Sequence, residues 1–247
     1  MHHKEYSPYF YEVRLTELHT STSADEVPTN EPAISCATER GIPVKYWSHF
    51  DVYELTSNDL KAKRTALRRW RGQASDTARF TNRVPDELLM LSLAHEQAQL
   101  LLDDIKMRHD ALKADALLLH TPPTFRPSQE NRQKVQQLAK ELKTLDSALI
   151  WQADGLWDGT EDFIELCSDL GMIPSIDPLA WDEDLPLPIG QYHWRVMGQR
   201  GLSVRLGEYE LDRLLDLIDQ REAQGWIRFS SPHMYASARR WRDQFLR

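Results

Sequence analysis

The sequence contains little cysteine and no long apolar run. Its only cysteines are Cys36 and Cys167, too few for the disulfide framework that stabilises small secreted domains. No window holds the roughly 18 apolar residues that a membrane-spanning helix needs. The first ten residues, MHHKEYSPYF, lack the apolar core of a signal peptide. We therefore expect free thiols, no membrane association and a cytoplasmic protein.

Positive charge is also scarce, because 30 Lys and Arg residues face 38 Asp and Glu residues and the net charge is −8. This balance excludes binding of nucleic acid by the molecule as a whole. One local exception is the stretch KAKRTALRRWRG (61–72). The basic residues in it that suit contact with phosphates are Lys61, Arg64, Arg68 and Arg71. The alternative, which we favour, is an outer helix that buries Leu67 and Trp70 and leaves its charges in solvent.

Motifs that hold metals or cofactors are missing. There is no H-E-x-x-H, no Cys-x-x-Cys, no P-loop and no G-x-S-x-G, so the sequence predicts neither a metal site nor a cofactor. The carboxylates of WDEDLP (181–186) are typical of a solvated loop. Cys167 lies on the apolar face of a predicted helix and is expected in the core. Cys36, at a strand end, is the cysteine worth testing for reactivity.

What the sequence does contain is a regular alternation of strands and helices from residue 33 onward. Helical periods separate most of the strand-like runs, with Ser128 as a start signal and Gly171 as a stop signal. The eight strand-like runs are 33–37, 51–56, 78–84, 115–120, 147–153, 172–177, 191–197 and 225–230. Eight such units predict a parallel β/α barrel. An open doubly wound sheet is the alternative, weakened because AISCATERG lacks the Gly-rich phosphate turn.

Residues 1–32 are set apart from this pattern as a polar N-terminal extension, so residues 33–247 form the predicted barrel domain. The extension includes a linker-like stretch, TSTSADEVPTNEP, and the aromatic run YFYEVRL. A segment with no core of its own but with several aromatic residues is typical of an arm that orders on another surface. We therefore predict that residues 1–32 dock on another protein.

In a β/α barrel, ligands bind where the strands end. Inward-pointing residues share one parity along each strand, which groups His120 with Leu118 and Arg195 with His193. The polar or chemically active candidates at strand ends are Cys36, Glu54, Arg83, His120, Gln152, Asp154, Asp177, Arg195, Met197, Ser230 and Ser231. Glu54 stands out because it interrupts the apolar run FDVYEL. It is either a buried functional carboxylate or half of a structural ion pair.

These stretches resemble the YecE-like barrel family, whose activity is unassigned, and especially its shorter archaeal-type members. The longest similar stretch is ALKADALLLHTPPTFRPSQEN (111–131), which resembles the family's strand, Pro-Pro-x-Phe turn and Glu-Asn helix start. Further similar stretches are FDVYEL (50–55), LRRWR (67–71), IWQADGLW (150–157), IDP (176–178), WRVMG (194–198) and FSSPHMYASARRW (229–241). Together they cover roughly residues 33–245 in the family's order, which implies the family's barrel fold.

The resemblance implies retained site positions and altered ones. The retained positions are Cys36, Glu54, Asp177, Arg195 and Gly198. The altered ones are His120 for a Gln, Gln152 and Asp154 for a Glu-x-Arg, Met197 for a His, Ser230-Ser231 for an Asn-Asn pair and Arg83 for a Lys-like position. These changes remove a carboxylate, reverse a charge and remove a histidine. A site built for acid–base work on an anion would lose several parts together.

Two hypotheses about function follow. The first, which we favour, is a non-catalytic binding or structural subunit of a larger assembly. The second is a barrel enzyme acting on a small polar or anionic substrate with Glu54, His120, Asp177 and Arg195 as catalytic residues. In either case Glu54, Asp177 and Arg195 should converge at one mouth of the barrel. Because Asp154 replaces an arginine, Arg195 should pair with Asp154 or Glu54 instead of holding an anionic ligand.

Overall fold

The computed structural model describes residues 31–38, 41–43, 45–181, 186–197 and 206–245. Residues 1–30 of the predicted docking arm lie outside the described residues, as do Gly198 and most of the acidic stretch at 182–185. Within the described part, no helix is long and apolar enough to cross a membrane.

Eight parallel strands form one sheet, as the sequence predicts. The strands are β1 (Ala33–Cys36), β2 (Val52–Glu54), β3 (Arg79–Arg83), β4 (Ala116–Thr121), β5 (Ala148–Ala153), β6 (Ile173–Ile176), β7 (Tyr192–Val196) and β8 (Gly225–Phe229). They follow one another in the order β1-β8-β7-β6-β5-β4-β3-β2. This order wraps the sheet into a nearly closed barrel, which confirms the predicted fold class and excludes the doubly wound sheet.

Among the described residues, five α-helices return the chain between strands on the outside of the barrel, and a sixth follows β8. They are α1 (Arg64–Gln73), α2 (Glu96–Leu112), α3 (Gln129–Leu142), α4 (Glu161–Asp169), α5 (Glu208–Asp219) and α6 (Tyr235–Phe245). The Ser128 side chain caps α3 by accepting a hydrogen bond from the Asn131 amide at 3.1 Å, as predicted. Gly171 follows α4 with a φ of +54°, which is the left-handed conformation expected of a glycine stop signal.

Side chains of the strands alternate between an inner and an outer layer. The inner apolar cluster, at the start of the strands, consists of Ala33, Val52, Ala116, Leu118, Ile150, Ile173 and Trp226. The larger outer core lies between sheet and helices and includes Ile34, Tyr53 and Leu117, the strand neighbours of the inner residues. Because successive side chains point to opposite faces, residues two positions beyond the inner apolar cluster also face the barrel interior.

The barrel closes at the seam between β1 and β2, the two end strands of the sheet. In the described part of the chain, one backbone hydrogen bond crosses it, from the Asp51 amide to the Ile34 carbonyl at 3.0 Å. The buried Tyr46 hydroxyl reinforces the seam, because it lies 2.6 Å from the Val52 carbonyl and accepts a hydrogen bond from the Cys36 amide at 3.2 Å. The Tyr46 side chain therefore links two strands that have little backbone hydrogen bonding to each other.

Candidate functional site

The mouth of the barrel carries a continuous network of charged side chains at the ends of four strands, β3, β4, β5 and β7. Arg195 of β7 donates from Nη1 to Asp154 Oδ1 at 2.7 Å. The other oxygen of Asp154, which follows β5, lies 2.9 Å from His120 Nε2 of β4. The prediction that Arg195 pairs with Asp154 or Glu54 is confirmed, with Asp154 as the partner. Asp158 lies on the far side of the same guanidinium, 3.6 Å from Nη2.

The network continues from His120 to the end of β3. His120 Nδ1 lies 3.1 Å from Asp86 Oδ2 and 2.8 Å from Arg83 Nη2. Arg83 in turn donates to Asp86 at 3.0 Å. When the ring is cationic, its two N–H groups donate to Asp154 and Asp86; when it is neutral, Nδ1 can accept from Arg83. In both states each ring nitrogen of His120 has a protein partner.

The pKa values of this network follow from its geometry. Burial alone would lower the pKa of His120, but its hydrogen bonds to Asp154 and Asp86 outweigh burial and raise it. Burial alone would raise the pKa of Asp154, but hydrogen bonds from His120 and Arg195 hold it well below the usual range. The same balance lowers the pKa of Asp86, whose partners are His120 and Arg83. The network therefore favours its own charged forms.

A second chain of contacts, which we call the inner chain, lies deeper in the barrel. Its members are Ser175, His193, Glu54 and Arg228, and all face the interior by strand parity. His193 Nδ1 lies 2.8 Å from the Ser175 hydroxyl and His193 Nε2 lies 3.1 Å from Glu54. The other Glu54 oxygen forms an ion pair with Arg228. The sequence allows two interpretations of Glu54, a functional carboxylate or one partner of a structural ion pair. These contacts favour the ion pair.

Burial controls the protonation of His193. The ring is fully enclosed, which lowers its pKa to about 3, and the charge of Arg195 acts in the same direction. A neutral ring fits the contacts, because Nε2–H can donate to the Glu54 carboxylate while Nδ1 accepts from the Ser175 hydroxyl. Burial therefore disfavours the cationic form of His193, whereas the hydrogen bonds of His120 favour its cationic form.

These opposite shifts predict a maximum of stability near pH 6.5. Below an unfolded pKa of about 6.5 the unfolded chain protonates its histidines while folded His193 does not, so stability falls with falling pH, by up to about 1.4 kcal/mol per pH unit. Above it, the raised pKa of His120 means that stability is lost as pH rises through that folded pKa. Urea unfolding between pH 5 and 9 measures both limbs. His193→Gln should reduce the slope of the acidic limb and leave the alkaline limb unchanged, and an unchanged acidic limb in that variant would contradict the assignment.

Asp177 completes the mouth from the end of β6. Its carboxylate accepts hydrogen bonds from the backbone amides of Leu179 at 3.1 Å and Met197 at 3.3 Å. Burial raises the pKa of Asp177 despite these bonds. Asp177 thus contacts Met197, just after β7, whereas Glu54 contacts His193 within β7. His193 and Met197 are four residues apart in the sequence, which corresponds to about 13 Å along a strand. The charge of Arg195 acts on the Asp177 carboxyl, but the contacts of Glu54 lie within the inner chain, so the convergence of all three residues at one mouth stays a prediction.

The remaining predicted positions fall into two groups. Gln152 faces the interior and is buried, and its Oε1, like the Ser230 hydroxyl, has no hydrogen-bond partner among the described residues. Cys36 belongs to the outer core, since it has the parity of Ile34, and its thiol donates to the Ser231 carbonyl at 3.5 Å. Burial raises the pKa of Cys36 to about 12, so the structure gives no support to a reactive thiolate there.

The basic helix α1 matches the solvated face that we favoured from sequence. Leu67 is fully buried, Trp70 is half-buried, and Lys61, Arg64 and Arg68 are exposed. Arg71 differs from them, because its guanidinium donates to the Ala78 carbonyl at 2.7 Å and stacks over Phe80 at 5.0 Å. Arg71 is therefore part of the fold, which removes one of the four residues suited to phosphate contact.

Sequence reasoning did not select Asp86, Asp158, Ser175 or Arg228. Arg228 carries the signal that singled out Glu54, a charge inside an apolar run (GWIRF), and its parity matches Ser230. Asp86 and Asp158 lie in turns after strands, where alternation says nothing about direction. Among the described residues, no group of three or more His, Cys, Asp and Glu side chains is arranged to hold a metal ion.

Solved structures with a similar fold belong to β/α-barrel proteins. A DUF72 family protein from Enterococcus faecalis matches with a TM-score of 0.67 at 13% identity, over 87% of this chain and 96% of that one. A DUF72 family protein from Thermotoga maritima matches with a TM-score of 0.65 at 13% identity, over 87% of this chain and 100% of that one. A xylose isomerase domain protein from Planctomyces limnophilus matches with a TM-score of 0.52 at 12% identity, over 87% and 94%.

No protein-family model and no curated protein matches the sequence. The similarity to these solved structures spans nearly the whole of each matched chain. At 12–13% identity it shows a shared fold and nothing about function. What these comparisons show is that the chain has the fold of an eight-stranded β/α barrel shared with DUF72 family proteins.

Proposed function

We propose that this chain is a divergent YecE-like barrel protein, related to the shorter archaeal-type members, that acts as a non-catalytic binding or structural subunit of a larger assembly. The fold likeness to DUF72 family proteins supports the barrel part of this proposal. The residues at the mouth support the non-catalytic part, because charges that could act on a substrate are committed to one another.

His120 is the observation that carries the proposal. General acid–base catalysis at neutral pH needs a titrating group with an atom free to reach the substrate. The ring nitrogens of His120 contact Asp154 at 2.9 Å and Asp86 at 3.1 Å, and its side chain is only 13% exposed. Proton transfer to a substrate would first have to break one of these contacts. Met197, at the position where the resemblance implies another histidine, supplies no replacement.

Arg195 supports the same conclusion for anion binding. A substrate phosphate or carboxylate would have to displace Asp154, which already lies 2.7 Å from the guanidinium. Asp158 adds a second carboxylate on the same side of the barrel. The mouth therefore lacks the attraction for an anion that an unpaired arginine would provide.

Removing Asp154 tests this reading directly. In the wild-type chain, inorganic phosphate should leave the thermal midpoint unchanged, because the cations of the mouth are already neutralised. In Asp154→Ala, Arg195 and His120 lose their shared carboxylate, and phosphate should raise the midpoint in a concentration-dependent way, by about 2.7 kcal/mol of stability at 100 times its Kd. Differential scanning calorimetry with a phosphate titration measures this.

Asp169→Ala is the matched control, since Asp169 is an exposed carboxylate at the end of α4 and removing it should create no response to phosphate. A wild-type chain that is itself stabilised by phosphate, with the effect abolished by Arg195→Ala, would refute the proposal. That result would establish the mouth as a functional anion site and favour the enzyme.

The alternative, a barrel enzyme for a small polar substrate, is favoured by one group of atoms. Gln152 Oε1, Arg195 Nε and Ser230 Oγ are buried in the mouth without hydrogen-bond partners among the described residues. Buried polar atoms normally have partners, so these three suit a polar ligand or ordered water. Asp177, with its raised pKa, would then be the candidate general acid beside them.

A further inference from the structure

A cavity of about 450 Å³ lies between helix α1 and the loop that joins β1 to β2. It is lined by Ile42, Pro43, Trp47, Arg69, Trp70 and Gln73. The two tryptophans, Ile42 and Pro43 lie beside the polar side chains of Arg69 and Gln73, so the groove presents apolar and polar surface in similar amounts. We call it the tryptophan groove. Neither the mouth network nor the inner chain contributes to it.

The walls of the tryptophan groove are fixed by packing behind them. The Trp47 ring packs against Phe80 with 5.2 Å between ring centroids. The Trp70 ring packs edge-on against Tyr53 at 6.1 Å, and Gly41 lies beside it, where a Cβ would come within 3.4 Å. The buried Nε1 of Trp47 has no acceptor among the described residues. A groove that combines two fixed aromatic walls with polar side chains suits an extended peptide segment with aromatic side chains.

The surface around the groove is strongly cationic. Residues 61–73 contain six Lys and Arg residues and no Asp or Glu. Five of them form no ion pair with any described residue: Lys61, Lys63, Arg64, Arg68 and Arg69. A segment that binds here should therefore be acidic.

Residues 1–30 of this chain have that chemistry. They contain five Asp and Glu residues against two Lys and Arg, and four aromatic residues within the stretch 6–11. They join the barrel at Glu31, whose charge acts on the carboxyl of Asp51 at the start of β2. Trp47 lies in the turn before β2, and Gln73 ends α1, which runs back to the same end of the barrel. The segment therefore begins on the side of the barrel where the groove lies.

We propose that the N-terminal segment docks in the tryptophan groove of its own barrel, with the aromatic stretch 6–11 between Trp47 and Trp70 and its carboxylates near Arg68 and Arg69. The sequence alone predicts another protein as the partner of this segment, whereas the occupant proposed here for the groove belongs to the same chain, and this proposal is independent of the function proposed for the mouth. A nucleic-acid strand fits the same cations but must approach a molecule of net charge −8, whereas the segment is already tethered.

Cross-linking in the full chain tests the docking. Cys36 and Cys167 are buried with raised thiol pKa values, so introduced surface cysteines react selectively. Ser7→Cys combined with Gln73→Cys, treated with a short bis-maleimide at low protein concentration, should form an intramolecular link. The matched control pairs Ser7→Cys with Ser168→Cys, an exposed site near the end of α4 on another side of the barrel. The groove pair should react about tenfold faster, because docking raises the effective concentration of the two thiols.

Arg69→Glu in the groove pair should reduce the rate to that of the control pair, whereas Lys140→Glu on α3 should not. Equal rates for the two cysteine pairs would overturn the proposal. So would links that form only between differently tagged copies, which would assign the groove to a second molecule. If Arg69→Glu leaves cross-linking unchanged but abolishes binding of a single-stranded oligonucleotide, the groove is a nucleic-acid site and the proposal is wrong.

Discussion

Glu54→Gln is expected to lower the free energy of unfolding by about 3–5 kcal/mol, the usual cost of breaking a buried ion pair from one side. The Glu54 side chain is 3% exposed and that of its partner Arg228 is 12% exposed, so water cannot take over the lost contact. The amide would also weaken the contact with His193, which lies 3.1 Å from the carboxylate. Guanidinium-induced unfolding, followed by circular dichroism, measures the change.

The exposed pair Glu130–Lys134 provides the control, because it also joins a glutamate to a basic side chain, at 2.9 Å, while Glu130 is 77% exposed. Glu130→Gln should cost only a few tenths of a kcal/mol. The double variant Glu54→Gln with Arg228→Met should be more stable than the sum of the single changes implies, since no charge is left unpaired. Strict additivity would show that Glu54 and Arg228 do not depend on each other.

Arg195→Ala should lower the free energy of unfolding by about 3 kcal/mol, at the lower end of the range for buried pairs. The Arg195 side chain is 6% exposed, but Asp154 is 30% exposed and regains water when its partner is lost. Loss of Arg195 also leaves Asp154 with His120 as its remaining contact within the network, so the pKa of Asp154 should rise. Thermal unfolding at neutral pH gives the first effect, and the low-pH limb of the stability curve gives the second.

The matched experiment is a double-mutant cycle of Arg195→Ala and Asp154→Ala, in which the pair should show a coupling energy of about 1–3 kcal/mol. Small-molecule binding should be unaffected by Arg195→Ala if the pair is structural. An Arg195→Ala protein that melts like the wild type but loses affinity for phosphate or a carboxylate would contradict this. Arg195 would then be a ligand-binding residue.

The barrel could be predicted from sequence because its strands obey a simple rule. All eight strand-like runs form strands within two residues of their predicted limits, since each is a short apolar run bounded by turn residues. The capping of α3 by Ser128 and the glycine stop after α4 were predictable for the same reason, as both depend on local backbone chemistry. Tyr46 was not, because its hydroxyl joins β1 and β2 from a short turn that no periodicity marks.

The site was predictable to the extent that alternation determines direction. His120, Asp154 and Arg195 come together because each follows the inner parity of its strand. Their partners could not be found in this way, since Asp86 and Asp158 lie in turns whose path depends on tertiary packing. Parity also places Cys36 with Ile34 in the outer layer, a distinction that its position at a strand end does not reveal.

The seam between β1 and β2 has a consequence during protein synthesis. β1 hydrogen-bonds in register to β8, and the Ser35 hydroxyl reaches the Ile227 carbonyl across 192 residues of chain. At a translation rate of ~5–20 residues per second, β8, the strand that completes the pairing of β1, is synthesised on the order of ten to forty seconds after β1. Throughout this interval the only other strand beside it is β2, joined by a backbone hydrogen bond and by Tyr46. The barrel therefore cannot close on the ribosome until β8 has emerged, so that nascent chains stalled before residue 225 should expose the edge of β1 to chaperones.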